Sequence, residues 1–304
     1  MRIVRFAKLV GKTSTRIGVL SVQGDQILDV SAIAAAQGKH VTAEDLGWWD
    51  AAGPLGLLLD AAIEEWQRDD RGKATLAQHG DLVPADAVKL LAPVARPGKV
   101  LCIGLNYRDH AAESGMDVPT SPILFSKFAT SIVGPGDNVV IPKGCTQPDY
   151  EAEMAVVIGR HAKHVSKEDA YQYVAGYCCL NDVSARDFQF ADKQWVRGKA
   201  ADTFAPIGPF VASKDLIPNP HKLQIQFRLN GETLQNSSTE QLVFGVPELV
   251  SFLSQSMTLE PGDIIATGTP PGVGFARKPP VYIKPGDKME VEIEGLGILF
   301  NPVA

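Results

Sequence analysis

The feature that most narrows the fold is the density of turn residues between short apolar runs, with 28 glycines and 21 prolines spread through 304 residues. Short runs bounded by Gly, Pro and Asn-Gly fold as strands, because long amphipathic helices cannot tolerate such frequent breaks. VLCIG (Val100–Gly104) and AEMAVVIG (Ala152–Gly159) read as buried strands, and KLQIQFRLNGETLQ (Lys222–Gln235) as a hairpin around Asn230-Gly231. Pro-Gly-Asp turns at 261–263 and 285–287 each launch a further strand. Two helices are predicted in this part of the chain, one over SKEDAYQYVAG, capped by Ser166 and Asp169, and one over PELVSFLSQS, opened by Pro247. Regular short strands with few helices point to a mainly β fold with α+β elements, a rolled or closed sheet rather than a doubly wound one.

The beginning of the chain has a different texture. Residues 1–30 alternate as three short strands, with Gly24-Asp25 as a turn, and residues 54–69 carry apolar side chains at helical spacing behind Pro54. LLAPVARPGKV (Leu90–Val100) has no periodicity and marks a boundary, so a small α+β domain is expected over 1–92 and a second domain over 97–304. Charge is 29 basic against 35 acidic residues, a net −6 with no basic run, so no nucleic-acid partner is expected. The most apolar helical stretch, Gly53–Ile63, is too short to span a bilayer and contains Asp60, and the amino terminus lacks a signal-peptide core. A cytoplasmic protein is expected. Cys102, Cys145, Cys178 and Cys179 lack C-x-x-C spacing and read as reduced thiols.

Chemistry concentrates in a few segments. In DYEAEMAVVIG, Glu151 and Glu153 leave the same face of a strand, with Cα atoms ~6.5 Å apart. Two like charges at the head of a fully apolar strand must find a cation or lie on a wet edge. MEVEIEG shows what a wet edge looks like, with Glu290, Glu292 and Glu294 alternating strictly with apolar residues. Asp182, directly after YVAGYCCL, offers a third carboxylate, and three such oxygen donors suit Mg²⁺ or Mn²⁺, with Ca²⁺ also compatible. Asp182 and Asp187 also fit turn positions. In GLNYRDHAAESG, His110 and Glu113 stand at i and i+3, the spacing of a general-base dyad and equally of a surface ion pair. Lys199 and Asp202 lie in a Gly- and Ala-rich stretch, where the lysine fits either a substrate carboxylate or solvent. IIATGTPPGVG lacks the G-K-[ST] of a nucleotide loop.

In order, GLNYRDHAAESG, PILFSKFATSIVGPGD, DYEAEMAVVIG, GYCCLNDVSARDFQ, RGKAADTFAPIGP and IIATGTPPGVG resemble the motifs of the fumarylacetoacetate hydrolase family, from Val100 to the end. The resemblance implies a mixed β-sandwich roll and a homodimer. It implies Glu151, Glu153 and Asp182 as ligands of Mg²⁺ or Mn²⁺, and His110 and Glu113 as a lid dyad that activates water. Lys199 matches a lysine that stabilises the substrate carboxylate or enolate, and Arg186, Gln189, Lys127 and Thr269 match substrate-side positions. The longer eukaryotic hydrolases carry a further Asp where this chain has Ile103, and many members have Lys-Pro where it has Lys127-Phe128.

The expected activity is therefore hydrolysis of a C–C bond in a small 2,4-dioxo acid such as an acylpyruvate or fumarylpyruvate, within catabolism of an aromatic compound or sugar acid. An ion polarises the carbonyl, a base delivers water and the carbanion leaves as an enolate. The same residues would serve oxaloacetate decarboxylation or isomerisation or hydration of a 2-hydroxymuconate-type acid. A metal-binding regulatory protein is the alternative of another class.

Overall fold

The alternating residues of the amino-terminal region form β1 (Arg2–Lys8), β2 (Thr15–Leu20) and β3 (Gln26–Leu28), followed by α1 (Val30–Ala36), α2 (Pro54–Arg68), β4 (Leu82–Pro84) and β5 (Val88–Leu91). Next come β6 (Val100–Gly104), α3 (Arg108–Glu113), β7 (Ile123–Lys127), β8 (Ile132–Val133), β9 (Pro148–Asp149), β10 (Ala152–Ile158), β11 (Val174–Asn181) and β12 (Ser184–Ala185). The remainder holds α4 (Arg186–Ala191), α5 (Val196–Lys199), β13 (Ala205–Ser213), β14 (Gln224–Leu229), β15 (Glu232–Ser238), α6 (Val246–Ser256), β16 (Ile264–Ala266), β17 (Lys288–Ile293) and β18 (Gly297–Pro302). This computed structural model describes residues 1–9, 14–39, 42, 45, 49–50, 53–68, 81–113, 115–191 and 193–304.

A large mixed sheet runs in the order β4-β3-β2-β1-β13-β11-β10-β16-β6-β7, and a second sheet, β15-β14-β17-β18, packs near its centre. β10 explains why its sequence is unbroken and apolar. Met154, Val156 and Ile158 join one core with Phe227, Val291 and Leu299 of the second sheet, while Ala155 and Val157 join another core with Leu58, Leu59 and Val211. Both faces are covered, so alternation disappears. β17 is the contrast: Met289, Val291 and Ile293 are buried, and Glu290 and Glu292 stay partly exposed, paired with Arg228 at 2.7 and 2.6 Å. The mainly β, rolled architecture agrees with the sequence reading.

The Asn230-Gly231 hairpin forms with both residues at positive φ, 53° and 85°, the signature of a type I′ turn. The helix predicted over SKEDAYQYVAG does not form. Ser166 does cap Asp169, but only a single 3₁₀ turn, Ala170–Tyr173, follows before the chain enters β11. β11 lies between β10 and β13, and pairing on both edges outweighs the local helical signal. Gly176 makes that pairing possible, since a Cβ there would lie 2.1 Å from the Ala212 carbonyl oxygen.

The amino-terminal strands are not separate from the rest. β1 pairs antiparallel with β13 through Arg2↔Ala212 and Ile3↔Val211, and Ile3, Ile17 and Leu59 share a core with Val211, Ile207 and Val157. Removing residues 1–96 would strip β13 of its β1 partner and open this core to water. We expect the 97–304 fragment to aggregate or to melt far below the full chain in calorimetry. An equally stable, monodisperse fragment would instead mark the expected boundary as that of an autonomous domain.

Candidate metal centre and active site

The ends of β10 and β11 are adjacent in the central sheet, and this brings three carboxylates together. Glu151 precedes β10, Glu153 lies within it, and Asp182 follows β11, with Asp182 N donating to Glu151 O at 2.9 Å. One carboxylate oxygen from each lies within 4.8 Å of the others, and all three residues are buried. This excludes the wet-edge reading of Glu151 and Glu153 and the turn reading of Asp182. Asp187 instead has a structural role, accepting from Thr146 N and Oγ1 at 2.6 and 2.9 Å.

Three buried cations surround the cluster. Lys199 Nζ, on α5, donates to Glu151 Oε2 at 2.8 Å and Asp182 Oδ2 at 3.0 Å. Lys127 Nζ, at the end of β7, donates to Asp182 Oδ1 at 2.5 Å and Val183 O at 2.9 Å. Arg186, opening α4, meets Glu151 Oε1 at 2.6 Å through Nη2. Burial alone would raise the Glu151 pKa, but Lys199 and Arg186 outweigh it and pull the group down to about 2. Burial likewise opposes the charge on Lys199, and Asp182 and Glu151 reverse the effect and raise its pKa. For Lys127 burial prevails and lowers the pKa despite Asp182.

Glu153 differs from its neighbours. It accepts one hydrogen bond, from Gly268 N at 2.7 Å, and no cationic side chain contacts it among the described residues. Burial, then the charges of Asp182 and Glu151, push its pKa well above the carboxylate range. A buried carboxylate with two further carboxylates beside it and no cation of its own is one that a divalent ion would balance, and an all-oxygen donor set suits a hard ion. The residues therefore fit Mg²⁺ or Mn²⁺.

Above the cluster lies a cavity of about 440 Å³. Glu151, Glu153, Arg186, Gln189, Lys199 and Thr269 contribute its polar lining, and His110 and Glu113 enter from α3. His110 Nδ1 lies 3.2 Å from Glu113 Oε2, as the i, i+3 spacing requires. Glu113 also accepts from Gly272 N at 3.0 and 3.1 Å, so α3 is fastened to the loop after β16. That loop spends its amides on the protein's own carboxylates, Gly268 on Glu153 and Gly272 on Glu113, which accounts physically for a phosphate-loop look without a phosphate site. Thr269 Oγ1 accepts from Gln235 Nε2 at 2.8 Å. Lys127 is not part of the lining. It stands behind Asp182, and its contacts suit orientation of that carboxylate rather than contact with a ligand. Lys199 and Asp202 are separated as well, Lys199 being buried and Asp202 exposed.

Asp149 was not singled out from the sequence, although it adjoins the acidic pair. It is fully buried. Oδ2 accepts from Arg186 Nε at 2.9 Å and Phe275 N at 3.1 Å, and Oδ1 from Gly274 N at 2.7 Å. Arg186 in turn donates to Gln189 Oε1 at 3.0 Å. Asp149 thus fixes Arg186 and the loop that carries Thr269 and Gly272. Its signal in the sequence was its place before a strand buried on both faces, where a carboxylate needs partners.

Metal-free protein gives a direct test of Glu153. Its folded form holds a proton to higher pH than the unfolded chain, so the folded state binds more protons and stability falls as pH rises above ~4.3, the ordinary carboxylate value. Glu153→Gln should flatten this dependence, stabilise the metal-free protein by about 1 kcal/mol or more at pH 8, and remove the stabilisation that Mn²⁺ confers. Melting curves across pH, with EDTA and with Mn²⁺, check each part.

The family model for the fumarylacetoacetate (FAA) hydrolase C-terminal region matches residues 99–304. The rat protein named oxaloacetate tautomerase Fahd2a, mitochondrial, is 51% identical over 260 residues, covering 85% of this chain and 83% of its own. The Xenopus laevis oxaloacetate tautomerase fahd2, also named as mitochondrial, is 48% identical over 307 residues, covering 100% of this chain and 90% of its own. Among solved structures, a 5-carboxymethyl-2-hydroxymuconate delta-isomerase from Mycobacterium smegmatis superposes with a TM-score of 0.76 at 31% identity, covering 100% of this chain and 99% of that one. No described helix is long and apolar enough to cross a membrane. By its motifs, its fold and these matches, the chain belongs to the fumarylacetoacetate hydrolase family.

Proposed function

We propose that this protein is a divalent-metal-dependent enzyme that interconverts the keto and enol forms of oxaloacetate or a closely similar 2-oxo acid. Proton movement is thereby placed ahead of C–C hydrolysis, the activity first expected from the motifs. The observation that carries the reading is that His110 and Glu113 line the same cavity as Glu151, Glu153, Arg186 and Lys199, in a chain half-identical to a rat protein named as an oxaloacetate tautomerase. The family's isomerase structure supports the same preference, because isomerisation and tautomerisation share an enolate.

Glu151, Glu153 and Asp182 would hold Mg²⁺ or Mn²⁺, which supplies Lewis-acid polarisation of the 2-oxo group when bound. Arg186 and Lys199 bring fixed positive charge to the polar floor, where they orient a carboxylate and meet the charge that develops on O2. We assign the Nδ1 hydrogen of His110 to its bond with Glu113, which leaves Nε2 facing the cavity side as the base for the C3 proton. Gly272 holds Glu113, and through it the imidazole, so a small proton carrier approaches from one side while the charged floor lies on the other.

A second reading keeps the same residues and lets the His110–Glu113 dyad activate water, cleaving an acylpyruvate; in a third, keto oxaloacetate loses CO₂ by breaking its C3–C4 bond, and the electron pair is held as the enolate of pyruvate. Homodimerisation is supported by β7, the end strand of the large sheet, which leaves Ile123 and Leu124 exposed. The cytoplasmic setting is carried forward as an expectation, although the rat and frog relatives are named as mitochondrial.

Oxaloacetate followed at its enol absorbance with Mg²⁺ or Mn²⁺ should relax to equilibrium faster than in buffer, and EDTA should abolish the effect. His110→Ala should lower kcat by about 10²–10⁴ while Mn²⁺ affinity measured by calorimetry stays the same. Pyruvate and CO₂ as products would instead identify a decarboxylase. Cleavage of acetylpyruvate to pyruvate and acetate, with oxaloacetate untouched, would restore the hydrolase reading.

A further inference from the structure

The cavity is larger and more apolar than a four-carbon diacid requires. Its volume, about 440 Å³, is that of a site for a larger ligand, and beyond the polar floor it is walled by Phe125, Trp195, Phe190 and Phe275, with Met116 at the rim. These aromatics form two edge-to-face pairs. Phe125 and Trp195 have centroids 5.4 Å apart, and Phe190 and Phe275 are 5.7 Å apart. Each pair begins at a floor cation: Lys199 Nζ lies 5.0 Å from the Phe125 centroid and the Arg186 guanidinium 4.5 Å from that of Phe275. Phe190 is 58% exposed and Met116 52%, so large apolar side chains face open space at the mouth. Among the described residues the lining offers no lysine or arginine beyond Lys199 and Arg186, and the charge that α3 brings to it is the Glu113 carboxylate. This wall disfavours a second carboxylate and matches an uncharged aromatic group.

We propose that the wall is an aryl-binding subsite and that the enzyme also enolises arylpyruvates, 2-oxo acids carrying an aromatic ring on C3. The proposal rests on the reading of the floor as a 2-oxo acid site. The head group occupies the floor and the ring lies between the two aromatic pairs. The C3–H bond breaks and its proton passes to Nε2 of His110. The electron pair becomes the C2=C3 double bond, and the carbonyl π pair moves to O2, which takes a proton from solvent. His110 then returns its proton to solvent, so the step needs no oxidant or reductant.

Phenylpyruvate and oxaloacetate, each with the Mn²⁺-loaded protein, provide the test. Phenylpyruvate should be enolised with a kcat/KM at least equal to that for oxaloacetate. Phe190→Ala should shift the phenylpyruvate-to-oxaloacetate ratio of kcat/KM down by roughly 10-fold or more, and Phe190→Leu by less, as loss of apolar contact predicts. Because Phe190 is largely exposed, its truncation leaves the core intact. Calorimetric binding of phenylpyruvate should weaken in parallel. Turnover of oxaloacetate without turnover of phenylpyruvate, or an equal loss for both substrates in Phe190→Ala, would overturn the proposal. If neither is turned over, the tautomerase reading falls, and binding decides the subsite: phenylpyruvate bound by the wild type and weakened by Phe190→Ala supports it, and no binding overturns it.

Discussion

Burial of three carboxylates at the adjoining ends of two central strands is the constraint on which the rest of the structure depends. Little of Glu151, Glu153 or Asp182 is exposed there, so the protein supplies positive charge from elsewhere in the chain. It does so from three directions. Lys127 arrives from β7, Arg186 from the start of α4 and Lys199 from α5, elements whose positions are set by the sheet and by short helices packed on it. The supply is deliberately uneven in its effect. Glu151 and Asp182 are each contacted by two cations, and Glu153 by none among the described residues. That imbalance is what supports the proposed divalent-ion site on electrostatic grounds, independent of any motif.

The same economy governs the loop after β16. Its amides at Gly268 and Gly272 hold Glu153 and Glu113, and the amides of Gly274 and Phe275 hold Asp149. One loop thus joins the floor, the helix that carries His110 and Glu113, and the anchor of Arg186. A displacement of the loop would disturb all three together, which ties the geometry of the floor to the position of His110.

Much of this was legible in the sequence because burial leaves a pattern. The unbroken run of β10 announced a strand covered on both faces, and the strict alternation of β17 announced one wet face; both were found. The i, i+3 spacing of His110 and Glu113 sufficed to predict their contact. Legibility failed where tertiary pairing overrode local preference, as in SKEDAYQYVAG, and where a side chain serves another side chain. Lys127 matches a substrate-side position by motif, and its ammonium contacts to Asp182 and Val183 are ones that no local spacing encodes. Asp149 stood in plain view beside the acidic pair, but its partners come from residues 37 and more than 120 positions away, and no local spacing encodes them. The pairing of β1 with β13 escaped for the same reason, since the Pro- and Gly-rich stretch between them resembles a linker while the sheet continues across it.

The central claim is that Glu151, Glu153 and Asp182 hold a divalent ion. Anomalous diffraction from crystals grown with Mn²⁺ tests it most directly. The account predicts a single strong Mn²⁺ peak within coordination distance of oxygens from all three carboxylates, lost in Glu153→Gln. A peak elsewhere, or none at this cluster in a protein that turns over oxaloacetate, would contradict it.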